Sequence, residues 1–129
     1  MRLVLDTNTY RSVMDGEATA TRLVQTCETV LVPVPVIAEL RFGFANGKKG
    51  AQNEAILTRF LDAPRVEVLS CDERTTPMYA MLKHQLKRQG TPIPINDVWI
   101  AALVLQHRGT LFTHDSDFEH LPQLPRVRG

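Results

Sequence analysis

A chain of 129 residues, 43% hydrophobic and 22% charged, can bury one core of its own and has the make-up of an ordinary globular protein. No apolar run approaches a membrane span. The start, Met-Arg-Leu-Val-Leu-Asp, puts a carboxylate where a secretory signal needs apolar residues, so the sequence reads as one cytoplasmic domain over residues 1–129. Fifteen basic and fourteen acidic residues leave a net charge of +1, a balance that neither announces a nucleic-acid binder nor excludes one.

Arg2-Leu3-Val4-Leu5 reads as a buried strand that ends in Asp6. Thr7-Asn8-Thr9-Tyr10 supplies capping residues for a short helix running towards Asp15-Gly16. Residues 18–28 carry Leu23, Val24 and Cys27 at helical spacing, and Thr29-Val30-Leu31-Val32 is a second strand closed by Pro33. Pro35 opens a helix with Ile37, Leu40 and Phe44 on one face. Gly47 and Gly50 bracket a basic turn, Lys48-Lys49, before a helix over 52–62 with Ile56, Leu57, Phe60 and Leu61 inward.

Residues 66–69 make a third strand. A helix from about Asp72 to Gln89 has Tyr79, Leu82 and Leu86 on one stripe. The two prolines of Gly90-Thr91-Pro92-Ile93-Pro94-Ile95 impose an irregular segment. Asn96 is the expected cap of a helix over 97–108, which Gly109 ends. Residues 110–113 form a fourth strand, followed by the polar stretch His114 to Phe118. The tail, Pro122 to Gly129, has room for one short strand around Val127. Strands alternate with helices throughout, which predicts an α/β sandwich around a mainly parallel sheet.

Such a sheet places chemistry beyond the carboxyl ends of its strands. Asp6 ends the first strand, and Asp115 and Asp117 follow the fourth. Glu39 and Asp97 lie in the first turns of helices, inside apolar sequence where a lone charge is costly to bury. Each has an ordinary explanation: Asp6 as a cap, Asp97 on the helix dipole, Glu39 facing solvent, Asp115 and Asp117 in a loop. If they converge, their mutual repulsion demands raised pKa values or a cation. An oxygen-only set favours Mg²⁺ or Mn²⁺, which suits hydrolysis of a phosphodiester by activated water.

Other chemistries find little support. Cys27 and Cys71 form no C-x-x-C pair and read as buried or half-buried free thiols. His84, His107 and His120 are isolated and read as surface residues, while His114 adjoins Asp115. Ser12, Ser70 and Ser116 lack a nucleophile-elbow context. There is no phosphate-cradling glycine motif.

Leu3-Val4-Leu5-Asp6-Thr7-Asn8 resembles the opening of PIN domains. Ile37-Ala38-Glu39-Leu40-Arg41-Phe42-Gly43 is similar to their second acidic motif, Asn96-Asp97-Val98-Trp99-Ile100-Ala101-Ala102 to the third, and Leu111 to Phe118 to the fourth. Length and the Glu-Leu-Arg-Phe-Gly stretch most resemble VapC-type toxins of bacterial toxin–antitoxin pairs. The resemblance implies a PIN-like three-layer sandwich and an Mg²⁺-dependent (or Mn²⁺-dependent) endoribonuclease acting on structured RNA, commonly transfer RNA. It also implies a homodimer held in check by a VapB-type antitoxin. By the same resemblance, Asp6, Glu39, Asp97 and Asp115 are the catalytic, metal-binding acids. Asp117 joins or replaces Asp115, and Asn8 and Thr113 orient the acids.

Candidate RNA contacts are Arg11, Arg41, Lys48, Lys49, Lys83, Lys87 and Arg88, although solvated helix faces look the same. Aromatics are few, so phosphate and shape recognition fit better than base stacking, and Tyr10 and Trp99 read as core or interface. Two competing readings remain at this level. One is a phosphoacceptor module, for which Leu69-Ser70-Cys71-Asp72 is a poor acceptor and no strand ends in lysine. The other is a non-catalytic interaction module with an acidic metal site, against which the full set of acids stands.

Overall fold

Leu3, Val4 and Leu5 are fully buried, so the first strand, β1 (Arg2–Leu5), has its place inside a sheet covered on both faces. The computed structural model describes residues 1–128; Gly129, the end of the predicted tail, lies outside them. Two helices, α1 (Thr7–Met14) and α2 (Ala18–Thr26), lead to β2 (Thr29–Pro33). Next come α3 (Val34–Asn46), α4 (Gly50–Leu61) and β3 (Val66–Leu69), then α5 (Thr76–Gln89), α6 (Ile95–Gln106), β4 (Thr110–Phe112) and β5 (Arg126–Val127).

All four strand pairings are parallel, in the order β3-β2-β1-β4-β5. Parallel neighbours need long connections back across the sheet; helices supply them as far as β4, and a segment with one short 3-10 turn, Ser116–His120, leads from β4 to β5. The chain steps outward from β1 to β2 and β3, then returns to lay β4 on the other side of β1. That reversal opens a crevice between the carboxyl ends of β1 and β4, the place such sheets reserve for ligands.

α6 is apolar nearly all round, with Val98, Ile100, Ala101, Ala102, Leu103 and Val104 buried, as expected of a helix enclosed on most sides. At its start the predicted cap is corrected. Asn96 lies within the first turn, and Pro94 is the N-cap, because its carbonyl already accepts from the amides of Asp97 (3.0 Å) and Val98 (3.3 Å).

At its end, Arg108 and not Gly109 takes the left-handed conformation, with φ 55°. The amide of Gly109 closes the helix by donating to the Val104 carbonyl at 2.9 Å, the second bond of a Schellman turn. Gly109 is needed for a different reason: a Cβ there would stand 2.6 Å from Val4 Cγ2 on β1. Gly109→Ala is therefore expected to force β1 and β4 apart and cost about 1–3 kcal/mol. A chemical melt showing no loss of stability would disprove that.

Four smaller expectations change. Ile56 is 38% exposed, because Leu57 takes the buried position on α4 while Phe60 and Leu61 only lean on the core. The helix expected from Asp72 begins as a 3-10 turn, Glu73–Thr75, capped by Asp72. Cys71 is exposed, while Cys27 is buried at the end of α2. His107 is half-buried, with an Nε2 that has no hydrogen-bond partner among the described residues. No described helix is long and apolar enough to cross a membrane. Tyr10 is buried edge-on against Phe60, and Trp99 stacks on Tyr79 at 4.0 Å.

Candidate active site

Asp6 is where β1 leaves the sheet. Its backbone is extended and its side chain caps α1, so the ordinary reading of Asp6 as a cap holds. It does not exhaust the residue. Oδ1 accepts from the Thr9 amide and lies 2.9 Å from the Thr9 hydroxyl, and Oδ2 accepts from the Thr113 hydroxyl at 2.6 Å. That last length is typical of a bond to a charged oxygen. The Thr9 hydroxyl also lies 2.9 Å from the Phe112 carbonyl and accepts from the Asp6 amide. Its single proton is shared among three acceptors, the third being the Asp6 carbonyl at 3.3 Å, and β1, α1 and β4 are thereby locked around one buried carboxylate.

Thr113 is one residue beyond β4. Besides holding Asp6, its hydroxyl accepts from the Asp115 amide at 3.0 Å. Asp115 in turn accepts from the Asp117 amide at 2.9 Å as the cap of a short 3-10 turn, Ser116–His120. Thr113 therefore joins the acid of β1 to those after β4. Thr113→Val, which removes both bonds and keeps the shape, is expected to lower activity about 10- to 100-fold, with Thr113→Ser restoring it. Full activity in the valine variant would show that the link does not matter.

A cavity of about 290 Å³ opens at this point, and Asp6, Glu39, Asp97 and Asp115 all line it. Glu39 comes from α3 and accepts from the Thr7 hydroxyl at 3.3 Å. Asp97 sits in the first turn of α6. Carboxylate oxygens of Asp97, Asp115 and Asp117 lie within 4.8 Å of one another. Two ligands on one Mg²⁺ are at most about 4.2 Å apart, so this group is close to cation-binding spacing.

The charges are felt most at Asp97, whose pKa is pushed up to about 7. Burial is the largest cause, followed by repulsion from Asp115, Glu39, Asp117 and Asp6. A helix start favours a negative charge by at most about 2 kcal/mol in a partly buried setting. Burial and repulsion override it.

The predicted residues thus divide. Asp6, Glu39, Asp97 and Asp115 share the cavity, and Asp117 reaches the same cluster. Asn8 also lines it, but the side-chain bonds to Asp6 come from Thr9 and Thr113. Thr9 was legible only as a capping residue, because nothing in sequence announces its contact with Phe112. Among the predicted basic residues, Arg41 is tied to Glu54 at 2.8 Å. Lys83 and Lys87 line a separate apolar cavity beside Ile93 and Val98, and Arg88 does not. Arg11 lines another with Met14 and Phe44, and Lys48 and Lys49 stay exposed in the α3–α4 turn.

A PIN-domain family model matches residues 3–124. Ribonuclease VapC4 of Mycobacterium tuberculosis is 34% identical over 95 residues, 72% of each chain. Ribonuclease VapC5 of the same organism is 32% identical over 121 residues, 92% of this chain and 86% of its own. Among solved structures, VapBC2 of Rickettsia felis bound to a DNA fragment from its promoter superposes with a TM-score of 0.84 at 27% identity, covering 98% of both chains. Acids gathered at the reversal of a five-stranded parallel sheet, a match over nearly the whole length and relatives of this similarity carry one conclusion: the chain belongs to the PIN-domain family, among the VapC ribonucleases.

Proposed function

We propose that the chain is an Mg²⁺-dependent endoribonuclease toxin that cleaves structured RNA, transfer RNA first among the candidates. The observation that carries the metal dependence is the raised pKa of Asp97 amid four other acids: uncompensated negative charge in a half-buried site is what a divalent cation removes. The donors are all carboxylate oxygens, a set suited to Mg²⁺ or Mn²⁺.

Asp97, Asp115 and Asp117 would hold the ion, with Asp6 and Glu39 completing the acidic wall. A bound cation would lower the pKa of a coordinated water and neutralise charge growing on the phosphate. Thr9 and Thr113 keep Asp6 fixed and pointing into the cavity, and Thr7 steadies Glu39. Among the described residues no aromatic lines the acidic cavity, which favours backbone and shape recognition over base stacking.

Two partners belong to this reading. The Rickettsia felis relative was solved as a VapBC pair, which supports a VapB-type antitoxin for this chain. A second copy of the chain is the other, as membership of this family implies. The test is cleavage of a transfer-RNA pool in Mg²⁺ or Mn²⁺ by the wild type and by Asp6→Asn. Loss of cleavage in a folded variant supports the proposal; equal cleavage by both ends it.

A further inference from the structure

A second cavity of about 290 Å³ adjoins the acidic one and shares Asp115 with it. Its walls include Thr113, His114, Glu119, Arg126 and Arg128. The register of the sheet explains why. Leu5 pairs with Phe112, and Phe112 with Val127, so one residue further along the same rows stand Asp6, Thr113 and Arg128. Residues two apart on a strand share a face, which sets Arg126 on the same side as Arg128. Adjacent strands are about 4.8 Å apart, so the backbone of Arg128 stands about 10 Å from that of Asp6.

The local acids do not use up this positive charge. Glu119 reaches Arg128 only at 3.7 Å, with both side chains more than half exposed (56% and 69%), a contact worth little in water. Asp115 belongs to the carboxylate cluster. Arg126 has no acidic partner within salt-bridge distance among the described residues. The His114 ring is held edge-on against Phe112 at 5.4 Å on the same rim. Guanidinium forks match phosphate oxygens in shape as well as charge.

We infer that this cavity is a subsite for a phosphate neighbouring the one that is cut, gripped by Arg126 and Arg128. The inference rests on the ribonuclease reading and adds where the RNA strand runs: from the acidic cavity across β4 to the β5 edge. An acidic segment of a partner protein could also use two arginines. Continuity with a site built for phosphodiester chemistry favours RNA.

The test compares Arg126→Gln/Arg128→Gln with a control of equal charge loss, Arg22→Gln/Arg74→Gln, whose residues are exposed and line neither cavity. With a transfer-RNA pool and Mn²⁺, the first pair should raise KM about tenfold, leave kcat within about twofold, and lower the log–log salt slope by about 1–2. The control should change neither. Equal effects in both pairs, or an unchanged KM and slope in the first, overturn the subsite. So would weaker capture of an acidic partner peptide with RNA affinity untouched.

Arg128→Glu, beyond the last strand pairing, repeats the measurement if the double variant melts early. Binding of fluorescent RNA to Asp97→Asn protein carrying the same changes reads the subsite without cleavage. An inactive wild type therefore counts against the ribonuclease reading alone, and unchanged binding counts against the subsite alone.

Discussion

Asp97→Asn is expected to abolish RNA cleavage, by at least about a thousandfold, and at the same time to stabilise the metal-free protein. Asp97 is held half-buried among acids that repel it. An ordinary aspartate loses its proton near 3.8, and this one near 7. Between those values the folded state binds more protons than the unfolded chain. Stability therefore falls as pH rises through that window and stays low above it. Asparagine carries no charge at any pH. The variant's advantage should be absent below about pH 4 and complete above about pH 7, on the order of 1–3 kcal/mol after allowing for solvent screening. Thermal melts in chelator near both ends of the window check this. An equal or lower melting temperature for the variant at the alkaline end would contradict it.

Removal of divalent ions is the other large effect. Chelation should stop cleavage, and Mn²⁺ should restore it. The proton on Asp97 and the metal compete for one carboxylate, so apparent Mn²⁺ affinity should be about 30-fold weaker near pH 5.5 than near pH 8. Each ion bound near neutrality should displace part of a proton into the buffer. Saturating metal, at about a hundred times its dissociation constant, should stabilise the fold by about 2.7 kcal/mol. Calorimetric titrations in two buffers of different ionisation heat measure the affinity and the proton release together. An affinity independent of pH would separate Asp97 from the metal.

What the sequence reveals depends on the range of the interaction. β1, β2 and the end of β4 are legible because strands buried on both faces read as unbroken apolar runs, and an acid at the end of such a run, like Asp6, stands out. The start of α6 is not legible to the same degree. Asn96 is the better cap by residue preference, yet the fixed geometry of Pro94 lets its carbonyl begin the helix two residues earlier than expected.

Ile56 and Leu57 are equally apolar neighbours, and only the packing of α4 decides which one is buried. Thr9 and Arg128 illustrate a further gap. Each owes its place to a strand far away in sequence, Thr9 to the Phe112 carbonyl and Arg128 to the register of β5 on β4. Neither a capping threonine nor a tail of mixed composition gives a hint of these neighbours.

β4, inserted between β1 and the last strand, also bears on how the protein is made. A nascent chain extruded only as far as Gln106 already carries Asp6, Glu39 and Asp97. It still lacks Thr113 to steady Asp6, and the two aspartates that follow. The acidic cluster is therefore complete only once residues 113–117 have been made and β4 has taken its place beside β1.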